Sequence, residues 1–570
     1  MSTKRFTLIA FIILSIGVLA CDNTTQENGL SELEIREALQ LPDRPNILWL
    51  VAEDLSPFIP SFGDSTVQTP NISRLAAEGV CYDNFYSPSP VCAPSRAAIS
   101  TGMYPTHIGA NHMRTGPWYS GNISDEEAAK RTKFMPDGLS FYEAIPPVGV
   151  RMMSEVLREA GYYCTNNAKT DYQYRPTVMA WDESGRGAHW RNREGDQPFF
   201  AVFNFEVTHE SRIWRKAEDS LWVAPDLEIP VPPYLPDTEI GRKDIRRMYS
   251  NIKEMDFQVG KVLQELEEDG LLENTIVFWY TDHGGPLPRH KRLLYDSGLK
   301  VPLVIRFPEK QLAGTRNDDL LSFIDLAPTT FSLAGIIPKA KLDGIAFLGA
   351  QKTEKKRKYI RAAADRFDAQ YDTNRAIRDK RYKYIRYYKP EKSMFLPVAY
   401  REQMAIMREL HRLREAGELT AVQAQWFRDT KPAEELFDLA ADPHEIKNLA
   451  TDPAFKDKLA ELSAECDRWV NSFEDTGLMP EKELVKKLWP SGKASVTAKP
   501  EVKELDNQIE LSCSTAGATI AYRIAKEGDD KEPWMVYSAP LNTILKEGEQ
   551  IQFIADRIGY RPSPIGTYTP

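Results

Sequence analysis

The sequence predicts an α/β domain built on a mostly parallel sheet, followed by a smaller α+β subdomain and an all-β module. Three observations carry that expectation. Near-continuous apolar runs recur at 46–52, 162–165, 199–205, 275–281 and 301–307, and strands of that character belong to a sheet buried on both faces. Helical segments with readable ends alternate with them, the pattern of a doubly wound domain. Beyond residue 493 short runs alternate apolar and polar at 509–512, 519–524 and 550–554, separated by Gly, Asp and Pro, as in an all-β unit.

Taken in chain order, Lys4 and Arg5 precede a mostly apolar run, Phe6 to Leu19, which is too short to span a bilayer as a helix and reads as a signal. It ends in Val18-Leu19-Ala20-Cys21, which resembles a bacterial lipoprotein cleavage box with Cys21 as the lipid-bearing residue. A plain secretory signal beside a chance cysteine is the alternative, and either reading exports the chain. Segment 1–20 is therefore expected to be removed, and the polar stretch 21–43 to act as a tether.

The α/β domain is expected over 44–354. Thr69 and Pro70 mark a helix start that Gly79 stops, and a second helix at 154–160 ends at Gly161. A longer one, 242–269, carries Ile245, Met248, Ile252, Val259, Leu263 and Leu266 on one side and ends at Gly270. Over 355–492 a basic strand at 383–388 and helices at 402–416 and 455–473 indicate the α+β subdomain, which leaves 493–570 for the β module.

Apolar residues at 42% and charged residues at 27% are ordinary globular proportions. The formal net charge of −10 argues against binding a nucleic-acid backbone, so a polyanionic substrate has to meet a local basic pocket. Six cysteines are present. Cys81, Cys164, Cys466 and Cys513 have no assigned use, and spacing alone does not pair them.

Ligands of open α/β sheets bind beyond the carboxyl ends of the strands. The first strand is followed by Glu53-Asp54 and the fourth by Asp282-His283-Gly284-Gly285. Carboxylates brought together repel unless a cation joins them, and oxygen donors suit a hard divalent ion, calcium or magnesium.

The most specific segment is Cys92-Ala93-Pro94-Ser95-Arg96, followed by Thr101-Gly102. It resembles the signature of the type I sulfatases of the alkaline phosphatase superfamily, in which the cysteine is oxidised to formylglycine by a maturation enzyme. The likeness runs from Arg44 to near Gly477. It includes Arg44-Pro45-Asn46-Ile47-Leu48 with Glu53-Asp54, Asp282-His283-Gly284, Lys291 with Tyr295 and Gly298, and Glu435-Leu436-Phe437-Asp438 with Asp442-Pro443.

The resemblance implies an alkaline-phosphatase-like sandwich with a mixed, mostly parallel sheet. It implies one Ca2+ held by Glu53, Asp54, Asp282 and His283 with the formylglycine made from Cys92. Arg96 would hold that group, and Lys169, His209 and Lys291 would face the sulfate. Three positions depart from the family pattern: Glu53 replaces the usual Asp, His283 a frequent Asn, and Lys169-Thr170-Asp171 lacks a histidine two residues after the lysine. His209 is then the expected general acid.

Candidate substrate-reading residues are His107, His112, Arg114, Asp171, Arg366 and Asp368; for Arg366 and Asp368 an ion pair is the equal alternative. Gly517 to Arg523 resembles the small β-sandwich appended to chitobiases. The Lys169-Thr170-Asp171 and His112-Met113-Arg114 segments resemble a bacterial branch near the N-sulfoglucosamine sulfohydrolases and algal polysaccharide sulfatases. The implied reaction is hydrolysis of a sulfate ester, or of an N-sulfate, on a sulfated oligosaccharide from an algal glycan or glycosaminoglycan, with partners limited to the maturation enzyme and, through Cys21, the membrane on its periplasmic or outer side. Two rivals stand: a phosphomonoester or phosphonate hydrolase of the same superfamily, and an inactive glycan-binding lipoprotein.

Overall fold

The computed structural model describes residues 39–116, 126, 135–528 and 532–569. The expected signal at 1–20, Cys21 and the tether up to residue 38 lie outside the described residues.

Strand β1 (Asn46–Ala52) is buried at all seven positions, as its unbroken apolar run requires. Helix α1 (Pro70–Glu78) starts at its proline, and the Thr69 side chain makes no capping bond. Strand β2 (Val80–Tyr86) is an element the apolar runs did not reveal. Asp83 and Asn84 interrupt it, and its register shifts between Tyr82 and Phe85, a bulge that hides the strand's pattern. Helix α2 (Cys92–Thr101) is wholly buried and ends at Gly102, whose φ of 71° is the left-handed stop that glycine supplies.

Helix α3 (Met153–Glu159) leads into β3 (Tyr163–Asn167) and β4 (Phe199–Phe205). Helix α4 spans Glu239–Glu268, three residues earlier than its apolar stripe indicated, because the Thr238 side chain caps it by accepting from Gly241 N–H. Strands β5 (Thr275–Thr281) and β6 (Lys300–Arg306) follow. The nine-stranded sheet has the order Glu183–Ser184, β3, β4, β1, β5, β6, β2, Thr315–Asn317, with Leu321–Ser322 also on β2. From β3 to β5 the neighbours run parallel, whereas β6 is antiparallel to both β5 and β2. This is the mixed, mostly parallel sheet expected.

Alternate residues of β1 face opposite cores. Leu48 and Leu50 join Met248, Ile252 and Val259 of α4, while Ile47, Trp49 and Val51 join Met153 and Leu157 of α3. Trp49 meets Phe200 and Tyr280 edge-on, at 5.0 and 5.5 Å between ring centroids.

Next come helix α5 (Leu326–Leu333) and an antiparallel four-stranded sheet, β7 (Ile360–Ala364), β8 (Asn374–Arg378), β9 (Tyr382–Tyr387) and β10 (Glu434–Asp438), paired in chain order. Helices α6 (Ala405–Ala416), α7 (Lys456–Val470) and α8 (Glu481–Leu488) complete this part. The terminal region holds two small antiparallel sheets, one on β11 (Glu501–Leu505) and β12 (Gln508–Ser512), the other on β13 (Thr519–Lys526), β14 (Glu549–Asp556) and β15 (Gly566–Tyr568). Its Ile558 is 3% exposed and packs in one apolar cluster with Ala97 of α2, Met103, Tyr172 and Tyr174. The five described cysteines are all free thiols.

Candidate active site

Parallel pairing of β1 with β5 puts Ala52 opposite Thr281, so the chain segments that leave these two strands run side by side. Asp282 N–H donates to Ala52 O at 3.1 Å, and Asp54 N–H donates to Asp282 Oδ1 at 3.1 Å. Gly284 and Gly285 then bond to the carbonyls of Gly298 and Ser297, at 2.9 Å each. A Cβ at Gly284 would lie 2.3 Å from Ser297 O, so only glycine allows this approach.

Residue 92 opens α2 and points at the same place. Its Sγ is 3.2 Å from His283 Nε2, 3.3 Å from Lys291 Nζ and 3.9 Å from Asp54 Oδ1. Ligand atoms of Asp54, Cys92, Asp282 and His283 lie within 4.8 Å of one another, and all four residues are buried. His283 Nδ1 bonds the Gly284 carbonyl at 3.0 Å, which turns Nε2 toward Asp54 at 3.0 Å. Burial opposes protonation of this ring, yet Asp282 and Asp54 push it up to about 10. The two carboxylates thus draw a positive charge to the point a divalent ion would take, and the donor set fits such an ion.

Glu53 does not join that group. Its carboxylate takes Lys169 Nζ at 2.6 Å and Arg96 Nη2 at 3.3 Å, and burial raises its pKa. Arg96 also binds Asp282 Oδ2 at 3.1 Å and Asn204 Oδ1 at 2.7 Å. Its hydrogen bonds therefore brace the carboxylates rather than residue 92.

Lys291 Nζ lies 2.9 Å from Asp54, 3.2 Å from Glu210 and 3.3 Å from His209 Nε2. Burial would lower this ammonium, but Asp54 and its anionic neighbours hold it well above the usual lysine range. The same contacts work on Asp54 in reverse: burial alone would raise it, and the charges of Lys291 and His283 keep it well below the carboxylate norm. His209 is neutral, because burial and the Lys291 charge both depress it.

A cavity of about 510 Å3 opens above this floor, lined by Glu53, Cys92, Lys169, His209, Lys291 and Arg292 among others. Arg114 and Asp171 line it too. Asp368 reaches it only through its 3.0 Å pair with Arg114.

Three expected substrate contacts lie elsewhere. His107 pairs with Asp343 at 2.9 Å and stacks on Phe473 at 4.6 Å. Burial holds His112 at about 4, and its Nδ1 accepts from Arg366 N–H. Arg366 is fully buried with its guanidinium forked on Glu481 at 2.7 Å, so it is neither a sugar contact nor a solvated pair. In sequence all three follow the Cys92 segment or the subdomain junction, and nearness along the chain gave no sign of which way they face.

Sequence reasoning missed Glu210, Arg292, Asn204 and Tyr400. Glu210 carries the bidentate Arg292 pair at 2.6 and 2.8 Å, and its N–H binds Asp54 Oδ2 at 2.7 Å. Each of Glu210 and Arg292 directly follows a residue already singled out, and that adjacency was the available signal. Tyr400, which lines the cavity beneath Arg114 at 5.4 Å, left none.

Comparison with known proteins follows the same lines. Residues 45–336 match the family model described as Sulfatase, and 289–425 match the one described as N-sulphoglucosamine sulphohydrolase, C-terminal. An ulvan-active sulfatase of Formosa agariphila is 51% identical, covering 98% of both chains. The human N-sulphoglucosamine sulphohydrolase is 24% identical over 78% of this chain and 94% of its own. Among solved structures, one bound to its substrate D-glucosamine-2-N,6-O-disulfate superposes with a TM-score of 0.53 at 16% identity, over 76% of this chain and 98% of the other. A 2-O GAG sulfatase gives 0.53 at 20% identity, over 75% and 92%. Since the first family model takes in half of the sequence and the Formosa relative matches it nearly end to end, this chain belongs to the sulfatase family.

Proposed function

We propose that the chain is an exported, calcium-loaded sulfatase that uses formylglycine at position 92 to release sulfate from oligosaccharides of a sulfated polysaccharide. The observation that carries this reading is the placement of residue 92, at the first turn of α2 on the floor of the cavity, within 3.3 Å of both Lys291 and His283. The ulvan-active relative supports a sulfated algal glycan as the substrate class.

Asp54 and Asp282 would hold the calcium ion through hard oxygens, with His283 supplying one nitrogen. Bound there, the ion would supply Lewis-acid activation of an oxygen nucleophile that the modified residue at 92 would carry. The remaining work falls to the chain's own side chains. Lys169 and Lys291, both held charged by buried carboxylates, neutralise the sulfate oxygens inside a site mostly closed to water. His209 enters neutral, and an arriving sulfate adds negative charge that raises its pKa, so proton uptake accompanies binding. The ring can then hand that proton to the departing sugar oxygen.

Export and lipid attachment at Cys21 rest on the cleavage-box resemblance alone, and lipid labelling of wild type against Cys21→Ser tests them. For the chemistry, the chain is expressed with a maturation enzyme, the peptide spanning residue 92 is weighed, and sulfate release is followed on a saccharide panel. Aldehyde at 92 and release abolished by Cys92→Ala are expected. Faster turnover of an aryl phosphate than of an aryl sulfate, or phenotypes unmoved by Cys92→Ala, would overturn the reading. Metal analysis after chelation and reloading distinguishes calcium from magnesium.

A further inference from the structure

The cations that line the cavity are almost all matched. Lys169 is paired with Glu53, Lys291 with Asp54, Arg292 with Glu210, Arg114 with Asp368, and Arg212 with Glu206 at 3.3 Å. Two are not. Arg186 and Arg215 also line the cavity, both are exposed, and neither side chain makes an ion pair or hydrogen bond among the described residues.

Their backbones are nevertheless fixed. Arg186 follows Gly185 in the turn after the edge strand Glu183–Ser184, and its carbonyl accepts from Asn167 Nδ2 at 2.8 Å. Arg215 ends the short helix Ser211–Arg215, which begins two residues after His209. The floor of the cavity, at residue 92, is buried, so these arginines mark its mouth. A volume of about 510 Å3 far exceeds one sulfate group and suits more than one sugar ring.

Resting on the sulfatase reading above, we propose that Arg186 and Arg215 form a second anion subsite, which binds a carboxylate or sulfate on the sugar next to the one being desulfated. The planar guanidinium fork matches either oxyanion. Neither cation has an internal partner to give up, so the full charge is available to the substrate. The subsite gives the enzyme a preference for polyanionic chains over isolated sulfate esters, and it acts on binding, since it sits away from residue 92.

The test uses the full-length matured enzyme with four substrates: three disaccharides that carry the same sulfate ester, one with a neighbouring uronate, its carboxyl-reduced counterpart and one with a neighbouring sulfate, and in addition an aryl sulfate. Arg186→Ala and Arg215→Ala are each expected to raise KM roughly threefold, and the double variant about tenfold, on the anionic-neighbour substrates, as exposed charge contacts do. Their kcat stays within about twofold, as for uniform binding, and the other two substrates are unaffected. Loss on the uronate substrate alone identifies a carboxylate as the natural group, and loss on the disulfated one alone a sulfate. Equal effects on all four substrates, or none on any, overturn the subsite. Wild-type enzyme that releases sulfate from none of them sinks the sulfatase reading itself, which separates the two failures.

Discussion

Replacing Ile558 with alanine tests whether the terminal β region is an appendage or part of the catalytic unit. Ile558 is 3% exposed and shares its apolar cluster with Ala97 of α2, the helix that Cys92 opens, and with Tyr172, the neighbour of Asp171. The substitution removes three buried carbons at about 0.8 kcal/mol each and leaves a cavity, for a total of roughly 2–4 kcal/mol. The loss is not confined to the terminal sheets. Asp556 accepts from Val178 N–H at 3.0 Å, Arg158 donates to Trp534 O at 2.6 Å, and Trp489 Nε1–H donates to Gly559 O at 3.1 Å, so the same seam ties the segment after Lys169 to β14. Thermal unfolding is followed together by tryptophan fluorescence and by residual sulfate release. Ile558→Ala should lower both midpoints in step and raise KM for the saccharide, because the Lys169–Asp171 loop loses its backing. If catalysis persists above the temperature at which the terminal sheets have melted, the reasoning fails.

Three further outcomes follow from buried charge. Burial alone would raise the Glu481 carboxyl, but its surroundings, at neutral pH the Arg366 guanidinium above all, bring it down to about 2 from an ordinary 4.5. A depressed folded pKa stabilises fully above pH 4.5 and is lost as pH falls toward 2, worth about 3.5 kcal/mol at about 1.4 per unit. Glu481→Gln should therefore cost about that much in urea denaturation at pH 7, with the gap to wild type closing below pH 4.5. Arg96→Ala leaves Asp282 and Glu53 without their shared guanidinium and should cost about 3–5 kcal/mol, seen as a lower denaturant midpoint, with Arg96→Lys restoring charge but not the three-way fork. Calcium at a hundredfold excess over its Kd should add about 2.7 kcal/mol to wild-type stability and nothing to Asp54→Ala, as read by melting with and without chelator.

What could be read without coordinates was whatever a continuous stretch of chain encodes. Asn46–Ala52 and Thr275–Thr281 announce buried strands by composition, and the acidic residues that follow them point to a candidate cation site. That these strands are neighbours is a property of the sheet, and the Asp54–Asp282 contact spans 228 positions that periodicity does not relate. Strand β2 escaped because its bulge puts Asp83 and Asn84 where apolar residues would mark the run.

The same distinction decides the side chains. Glu53 and Asp54 are adjacent and look equivalent on paper, yet the strand ends at Ala52, the chain bends, and Asp54 takes a left-handed backbone with φ of 47°, so the two side chains leave in different directions. Asp54 accordingly meets Lys291 and His283, and Glu53 meets Lys169 and Arg96. A pair that reads as two ligands of one ion is divided between a candidate ion site and a salt-bridge network around Lys169. The Glu53 and Asp54 positions are therefore expected to respond differently to removal: Asp54→Ala abolishes calcium uptake, whereas Glu53→Gln keeps it and weakens substrate binding through a loosened Lys169. Measuring calcium content and KM on the two variants distinguishes these roles, and equal calcium loss in both would return Glu53 to the ion.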